Sequence, residues 1–205
     1  MENLKELNMS FNKLGYIHER GFKNLKNLRV LNMENNRLVK FGTLLFQSLT
    51  NLEILDLSSN QLDMVLNLEA FEGMVRLKNF NLKSNKIRLI NKDAFHNLKD
   101  LKTLNLGFNL IEKILPEYFS NCKYLSELYL NNNLIKEIDP FSFRENRTLS
   151  SLHLNNNKLR KLEKNLFKSI TYLRELNLSQ NMIQILHTDT FVNMDYLVLL
   201  ELSFN

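Results

Sequence analysis

Cysteine occurs once, as Cys122, in a chain of 205 residues, so no intrachain disulfide and no cysteine-based zinc site can form. Tryptophan is absent and proline appears only twice, which leaves no stretch that reads as a linker. The five glycines, Gly15, Gly21, Gly42, Gly73 and Gly107, never cluster into a phosphate-binding loop, so nucleotide binding has no support. His18, His96 and His187 lie in distant segments, and no pair of histidines has a metal-ligand spacing; no cofactor or metal is implied. No apolar run approaches ~20 residues, and the opening Met-Glu-Asn-Leu-Lys-Glu has no apolar stretch like that of a secretory signal. Any membrane attachment would therefore lie in parts of a longer parent chain. What remains is ordinary globular material: 44% hydrophobic residues exclude disorder, and 27 Lys plus Arg against 22 Asp plus Glu leave a mildly basic chain of net +5.

The organising feature is a repeat. The pattern Leu-x-x-Leu-x-Leu-x-x-Asn recurs with its Asn at Asn12, Asn36, Asn60, Asn85, Asn109, Asn133, Asn157, Asn181 and Asn205, at steps of 24 residues with a single step of 25. Ten residues after each Asn stands a Phe, at Phe22, Phe46, Phe95, Phe119, Phe143, Phe167 and Phe191, with Phe71 at eleven in the longer copy. Two places after each Asn comes Leu14, Leu38, Leu62, Ile87, Ile111, Ile135, Leu159 or Ile183. These columns predict one array over residues 1–205, nine repeats with the last truncated.

The physical reading is a coil. Leu-x-Leu makes a short strand with two side chains inward, and the later apolar positions carry the chain back along an opposite wall, so each coil buries its apolar face only against its neighbours. An Asn amide offers two donors and an acceptor, which suits it to backbone groups at the bend and in adjacent coils. The thick Phe column on the far wall should bend the stack with the strands on the concave side. The predicted fold is thus an α/β solenoid, a right-handed superhelix with a parallel concave sheet and an irregular convex face.

These residues resemble the leucine-rich repeat family, in its 24-residue animal extracellular class, which includes Toll-type receptors, chaoptin-like adhesion molecules and small leucine-rich proteoglycans. The resemblance covers residues 1–205, and it rests on nine in-phase copies and the Phe column. The cysteine-bearing caps that usually flank such arrays have no counterpart, so the chain reads as a fragment. The resemblance implies a non-enzymatic protein-recognition module in the ligand-binding ectodomain of a secreted or cell-surface receptor or adhesion protein. Two other settings fit the same residues: an intracellular scaffold or adaptor, and a matrix protein that binds sulfated glycan.

The outward positions of the strands are where a partner would be read. The middle column runs Asn8, Asn32, Asp56, Asn81, Asn105, Tyr129, His153, Asn177, Glu201, and over all three outward columns Glu6, Glu34, Asp56, Glu127, Glu175 and Glu201 oppose only Lys83. This strip is acidic in a basic chain. Tyr129 and His153, adjacent in one column and flanked by Glu127, Ser151, Asn131, Asn155 and Glu175, make the best candidate interface anchor for a protein ligand. His153 is not expected to be catalytic: Ser151 lies ~6.6 Å away along the strand and Asp56 is four coils off, ~19 Å, whereas a nucleophile and its base need ~3 Å. The basic excess falls in the turn after the ladder Asn, at Lys13, Arg37, Lys40, Lys86, Arg88, Lys113, Lys136, Lys158, Arg160 and Lys161, opposed by Asp63, Glu112 and Glu137. Of these, Lys136, Lys158, Arg160 and Lys161 form the candidate anion-binding edge, with sulfated glycan as its possible ligand.

Three glycosylation sequons begin at Asn8, Asn146 and Asn177. This composition yields about three by chance, so they carry no information about compartment. Asn146 replaces an apolar residue in the column of Leu25, Leu49, Met74, Leu98, Cys122, Ile170 and Met194; it must either find a polar partner inside or face outward, where it could carry a glycan. Cys122 in the same column is expected to be a buried small hydrophobe.

Overall fold

The computed structural model describes residues 1–205. Its elements, in chain order, are β1 (Glu6–Asn8), β2 (Val30–Asn32), β3 (Ile54–Asp56), β4 (Asn79–Asn81), β5 (Thr103–Asn105), β6 (Lys113–Ile114), β7 (Glu127–Tyr129), β8 (Glu137–Ile138), β9 (Ser151–His153), β10 (Glu175–Asn177) and β11 (Leu199–Glu201). Nine of them form one parallel sheet in the order β1-β2-β3-β4-β5-β7-β9-β10-β11. The register pairs each repeat with the next at equivalent positions, as Leu128 with Leu152 and Tyr129 with His153. The expected solenoid is present, with one strand per coil and its middle residue buried from β2 to β10. Helix is almost missing from the return wall; a single 3-10 turn, Glu69–Phe71, sits in the repeat that is one residue longer and absorbs the extra residue before Phe71.

The wall opposite the sheet is built by the Phe column. Phe71 stacks on Phe95 and Phe95 on Phe119, with ring centroids 5.9 and 6.2 Å apart, and Phe167 stacks on Phe191 at 6.2 Å. Between the walls runs one continuous cluster of 52 buried apolar residues that reaches from Phe22 to Met194. No coil has a core of its own. A second, two-stranded parallel sheet pairs β6 with β8, in the stretch that the sequence reads only as turn. In both of these coils a proline stands two residues after the strand, at Pro116 and Pro140, and neighbouring coils make single parallel bridges in the same stretch, Leu66 with Ile90 and Lys161 with Ile185.

Leaving the strand, every coil passes through a non-glycine residue in the left-handed region immediately before its ladder Asn: Phe11, Asn35, Ser59, Ser84, Phe108, Asn132, Asn156, Gln180 and Phe204, all with φ between 52° and 57°. Such a residue costs about 1 kcal/mol. The ladder Asn offsets it. Asn109 donates through Nδ2 to the carbonyls of Leu106 and Gly107 at 3.0 and 3.2 Å in its own bend and of Leu82 at 3.0 Å in the preceding coil, and its Oδ1 accepts from the Ile87 N–H at 3.0 Å. The same four contacts recur at Asn36, Asn60, Asn85, Asn133, Asn157 and Asn181, all of them buried.

Replacing Asn109 by Ala is expected to destabilise the chain by roughly 3 kcal/mol, because it orphans the buried Ile87 N–H and strips carbonyls in two coils. Asn12→Ala, whose amide bonds only Met9 and Ser10 carbonyls at an exposed site, should cost less than about 1 kcal/mol. Urea unfolding of the two variants measures the difference.

Candidate functional site

Because the pleat alternates, the residues on either side of each buried strand Leu stand on the outer face, and the parallel register lines them up coil by coil. The columns are those read from the sequence: Glu127, Ser151 and Glu175 in one, Tyr129, His153 and Asn177 in the next. Tyr129 and His153 lie face to face with ring centroids 4.7 Å apart and planes 13° from parallel. Around this pair the side chains are tied together. The Tyr129 hydroxyl donates to Glu127 Oε2 at 3.2 Å. Ser151 Oγ lies 2.9 Å from His153 Nε2 and donates to Glu175 Oε2 at 3.3 Å, while Glu175 Oε1 stands 3.6 Å from the same Nε2. Burial, followed by the neighbouring Glu127 and Glu175 carboxylates, raises the Tyr129 phenol above its ordinary range. Asn131 and Asn155 flank the pair, half-buried.

The Ser151 contact corrects an expectation. Two residues along a strand are ~6.6 Å apart at the backbone, but side chains on one face lean along it, and the long imidazole closes the gap to 2.9 Å. Nucleophile and base distance is therefore met, and a carboxylate is near. The arrangement is nonetheless unlike a hydrolytic triad, in which the carboxylate binds the imidazole nitrogen remote from the serine. Here Glu175 and Ser151 share Nε2. With the proton on Nε2 every contact is satisfied: Nε2–H donates to Ser151 Oγ, and the hydroxyl donates onward to Glu175. That points the serine proton away from the base.

On the edge after the ladder Asn, Lys136, Lys158, Arg160 and Lys161 line an open groove of about 800 Å³ together with Glu137 and Met182. All six side chains belong to exposed residues. Lys136 pairs with Glu112 at 2.9 Å and Lys161 with Glu163 at 2.6 Å. Lys136, with Lys158 and Arg88 adding to its pull, holds the Glu112 carboxyl below the usual carboxylate range. Neither Lys158 nor Arg160 has an acidic group within 4.0 Å. The sequence reading placed Glu137 on this edge but did not include Met182, whose part in the groove depends on how successive coils stack.

Asn146 resolves inward. It is fully buried, and its Nδ2 donates to the carbonyls of Phe119 and Cys122, both at 3.0 Å, in the preceding coil. The expectation of a glycan there is overturned, since the nitrogen that would carry the sugar is enclosed and committed to two bonds. Its Oδ1 is buried without a partner. Asn8 is exposed and Asn177 half-buried, each accepting from its own sequon serine. Cys122 is buried as expected, and burial pushes its thiol up to about 12. One feature escaped the sequence reading: Tyr172 and Tyr196, on the edge that precedes the strands, are exposed and stack at 5.3 Å. Their spacing of one repeat was the available signal.

A parallel-sheet solenoid with one strand per 24-residue coil, an amide ladder and a variable outer face defines a leucine-rich repeat fold. The chain belongs to the leucine-rich repeat family: the BspA type leucine rich repeat region profile matches residues 1–112 and the leucine rich repeat profile matches residues 100–159 and 147–205. Among solved structures it is similar to the protein in the crystal structure of the TLR13–ssRNA13 complex, with 32% identity and a TM-score of 0.90 over 96% of this chain. It is also similar to a leucine-rich repeat protein of Leptospira interrogans, with 29% identity and a TM-score of 0.85 over 96% of this chain. The chain spans 28% of the length of the first and 48% of the second. No curated protein sequence matches. The repeat fold is typically a non-enzymatic binding module.

Two outcomes follow from the burial. With a thiol pushed up to about 12, Cys122 stays protonated throughout the neutral range, so a thiol-disulfide reagent at about pH 8 should leave the native protein unlabelled and react with one equivalent after denaturation. Asn146→Ile, matching Ile170 in the same column, should stabilise the fold by about 1 kcal/mol, because the orphan Oδ1 disappears while the Phe119 and Cys122 carbonyls keep their bonds from the Cys122 and Leu125 N–H groups. Thermal unfolding of that variant reads the change.

Proposed function

We infer that the chain is a non-enzymatic protein-recognition segment of a secreted or cell-surface receptor or adhesion ectodomain, and that it takes a basic protein surface on the concave strip around Tyr129 and His153. The observation that carries this reading is the stacked aromatic pair, fastened to Glu127 on one side and to Ser151 and Glu175 on the other. Aromatic anchors held rigid before binding lose little entropy on contact, which is what an interface centre requires. The partner's sign follows from the strip itself. Six carboxylates oppose one lysine over the three outward columns, so a cationic surface is favoured and a phosphate backbone repelled. The similar protein crystallised with ssRNA binds a ligand of the opposite charge, and the concave chemistry here argues for a protein instead. Similarity to that receptor supports the extracellular setting.

Screening displayed secreted and surface proteins against the immobilised chain should yield a basic partner. Changing Tyr129 and His153 together to Ala is expected to weaken that partner by roughly 30-fold or more, while the loss of the stacked pair lowers stability by only about 1 kcal/mol and leaves the chain folded. Asn32→Ala and Asn81→Ala, in the same outward column but several coils from the aromatic pair, should leave affinity as it was. Unchanged binding by the Tyr129/His153 variant sinks the assignment.

A further inference from the structure

We propose that the groove on the edge after the ladder Asn, lined by Lys136, Lys158, Arg160 and Lys161, binds the sulfate groups of a sulfated glycan, independently of the concave strip. Four cations face a single carboxylate, Glu137, in the lining. Glu112 and Glu163 occupy Lys136 and Lys161 by ion pairs of 2.9 and 2.6 Å, and these pairs fix the two ammonium groups at the rim. Lys158 and Arg160 are left unneutralised within one coil, and both backbones are anchored: the Lys158 N–H donates to the Ile135 carbonyl at 2.8 Å and the Arg160 carbonyl accepts from the Gln184 N–H at 3.2 Å. A compact ammonium and a forked, weakly hydrated guanidinium side by side suit a tetrahedral oxyanion that stays ionised at neutral pH.

The form of the polyanion follows from what surrounds the groove. Its lining contains no aromatic ring, only the exposed Met182 as an apolar contact, so it offers no platform on which a base could stack. Along the edge the cations do not form a continuous track. Asp63 and Glu112 stand at the Arg160 position of earlier coils and interrupt the row. A single strand of nucleic acid is held by an unbroken basic channel with aromatic rungs. A short cluster of sulfates on a saccharide needs only one local concentration of charge, and the groove of about 800 Å³ is open enough to admit it.

The test uses the chain as it stands and three probes: a fully sulfated heparin octasaccharide, the same octasaccharide desulfated, and a uridine octanucleotide. Calorimetric titration should show the sulfated probe binding, weakening roughly tenfold between about 50 and about 200 mM salt, and the desulfated probe not binding. Lys158→Ala with Arg160→Ala should lower affinity for the sulfated probe about 30-fold, without shifting thermal unfolding, since both side chains are exposed and unpaired. Lys5→Ala with Arg29→Ala, which removes the cations of a separate groove beside Asn3, Asn27 and Asn51, should bind as the parent does. Equal affinity of the Lys158/Arg160 variant and the parent overturns the proposal, as does loss in the Lys5/Arg29 variant instead, or an octanucleotide that binds as tightly as the sulfated saccharide.

Discussion

The amide of the ladder asparagine is the interaction on which the rest of the structure depends. Each coil must leave its strand sharply, and it does so through a residue in the left-handed region that in no coil is a glycine. That conformation costs about 1 kcal/mol per coil, and the bend also turns backbone groups into a wall where water does not reach. One side chain answers both demands. Four contacts of about 1 kcal/mol each outweigh one strained residue, and two of the four reach into the preceding coil. The bend of one repeat is therefore completed by the next.

This dependence makes stability collective and explains why the core is one cluster without internal boundaries. It also explains how the array tolerates Asn146. A polar residue in the Cys122 column would be costly in a closed globular core, but in a solenoid the preceding coil always presents carbonyls at the same height, and Nδ2 finds those of Phe119 and Cys122. Only the oxygen is left over, and its desolvation is the residual cost of the seam.

Periodicity made most of this legible. A 24-residue repeat with fixed apolar columns is a direct statement of which residues share a wall, so the register of all nine main strands, the burial of Cys122 and the outward columns follow from counting alone. What counting could not reach lies below the resolution of a column. Backbone spacing placed Ser151 too far from His153, because it ignores how far an imidazole reaches along its strand. Asn146 allowed two orientations, and only the availability of carbonyls in the neighbouring coil chose between them. The β6–β8 ladder was hidden too: two prolines and a two-residue pairing leave no alternation to detect, and those segments read as turn.

The contacts around His153 bear on what the concave face is for. A hydrolytic serine needs its proton drawn toward a base whose far nitrogen is steadied by a carboxylate. Here the carboxylate sits on the serine side, so its charge competes with the imidazole for the same proton and leaves the hydroxyl bound rather than activated. The same geometry serves recognition well. Tyr129 is held by Glu127, His153 by Ser151 and Glu175, and the two rings stack on each other, so a fixed aromatic pair bordered by two carboxylates exists before any partner arrives. The basic groove lies on the adjoining edge of the same coils, beyond the ladder Asn. A solenoid whose scaffold consumes most of its residues thus keeps two surfaces of opposite sign, and a single ligand of uniform charge can be attracted to only one of them.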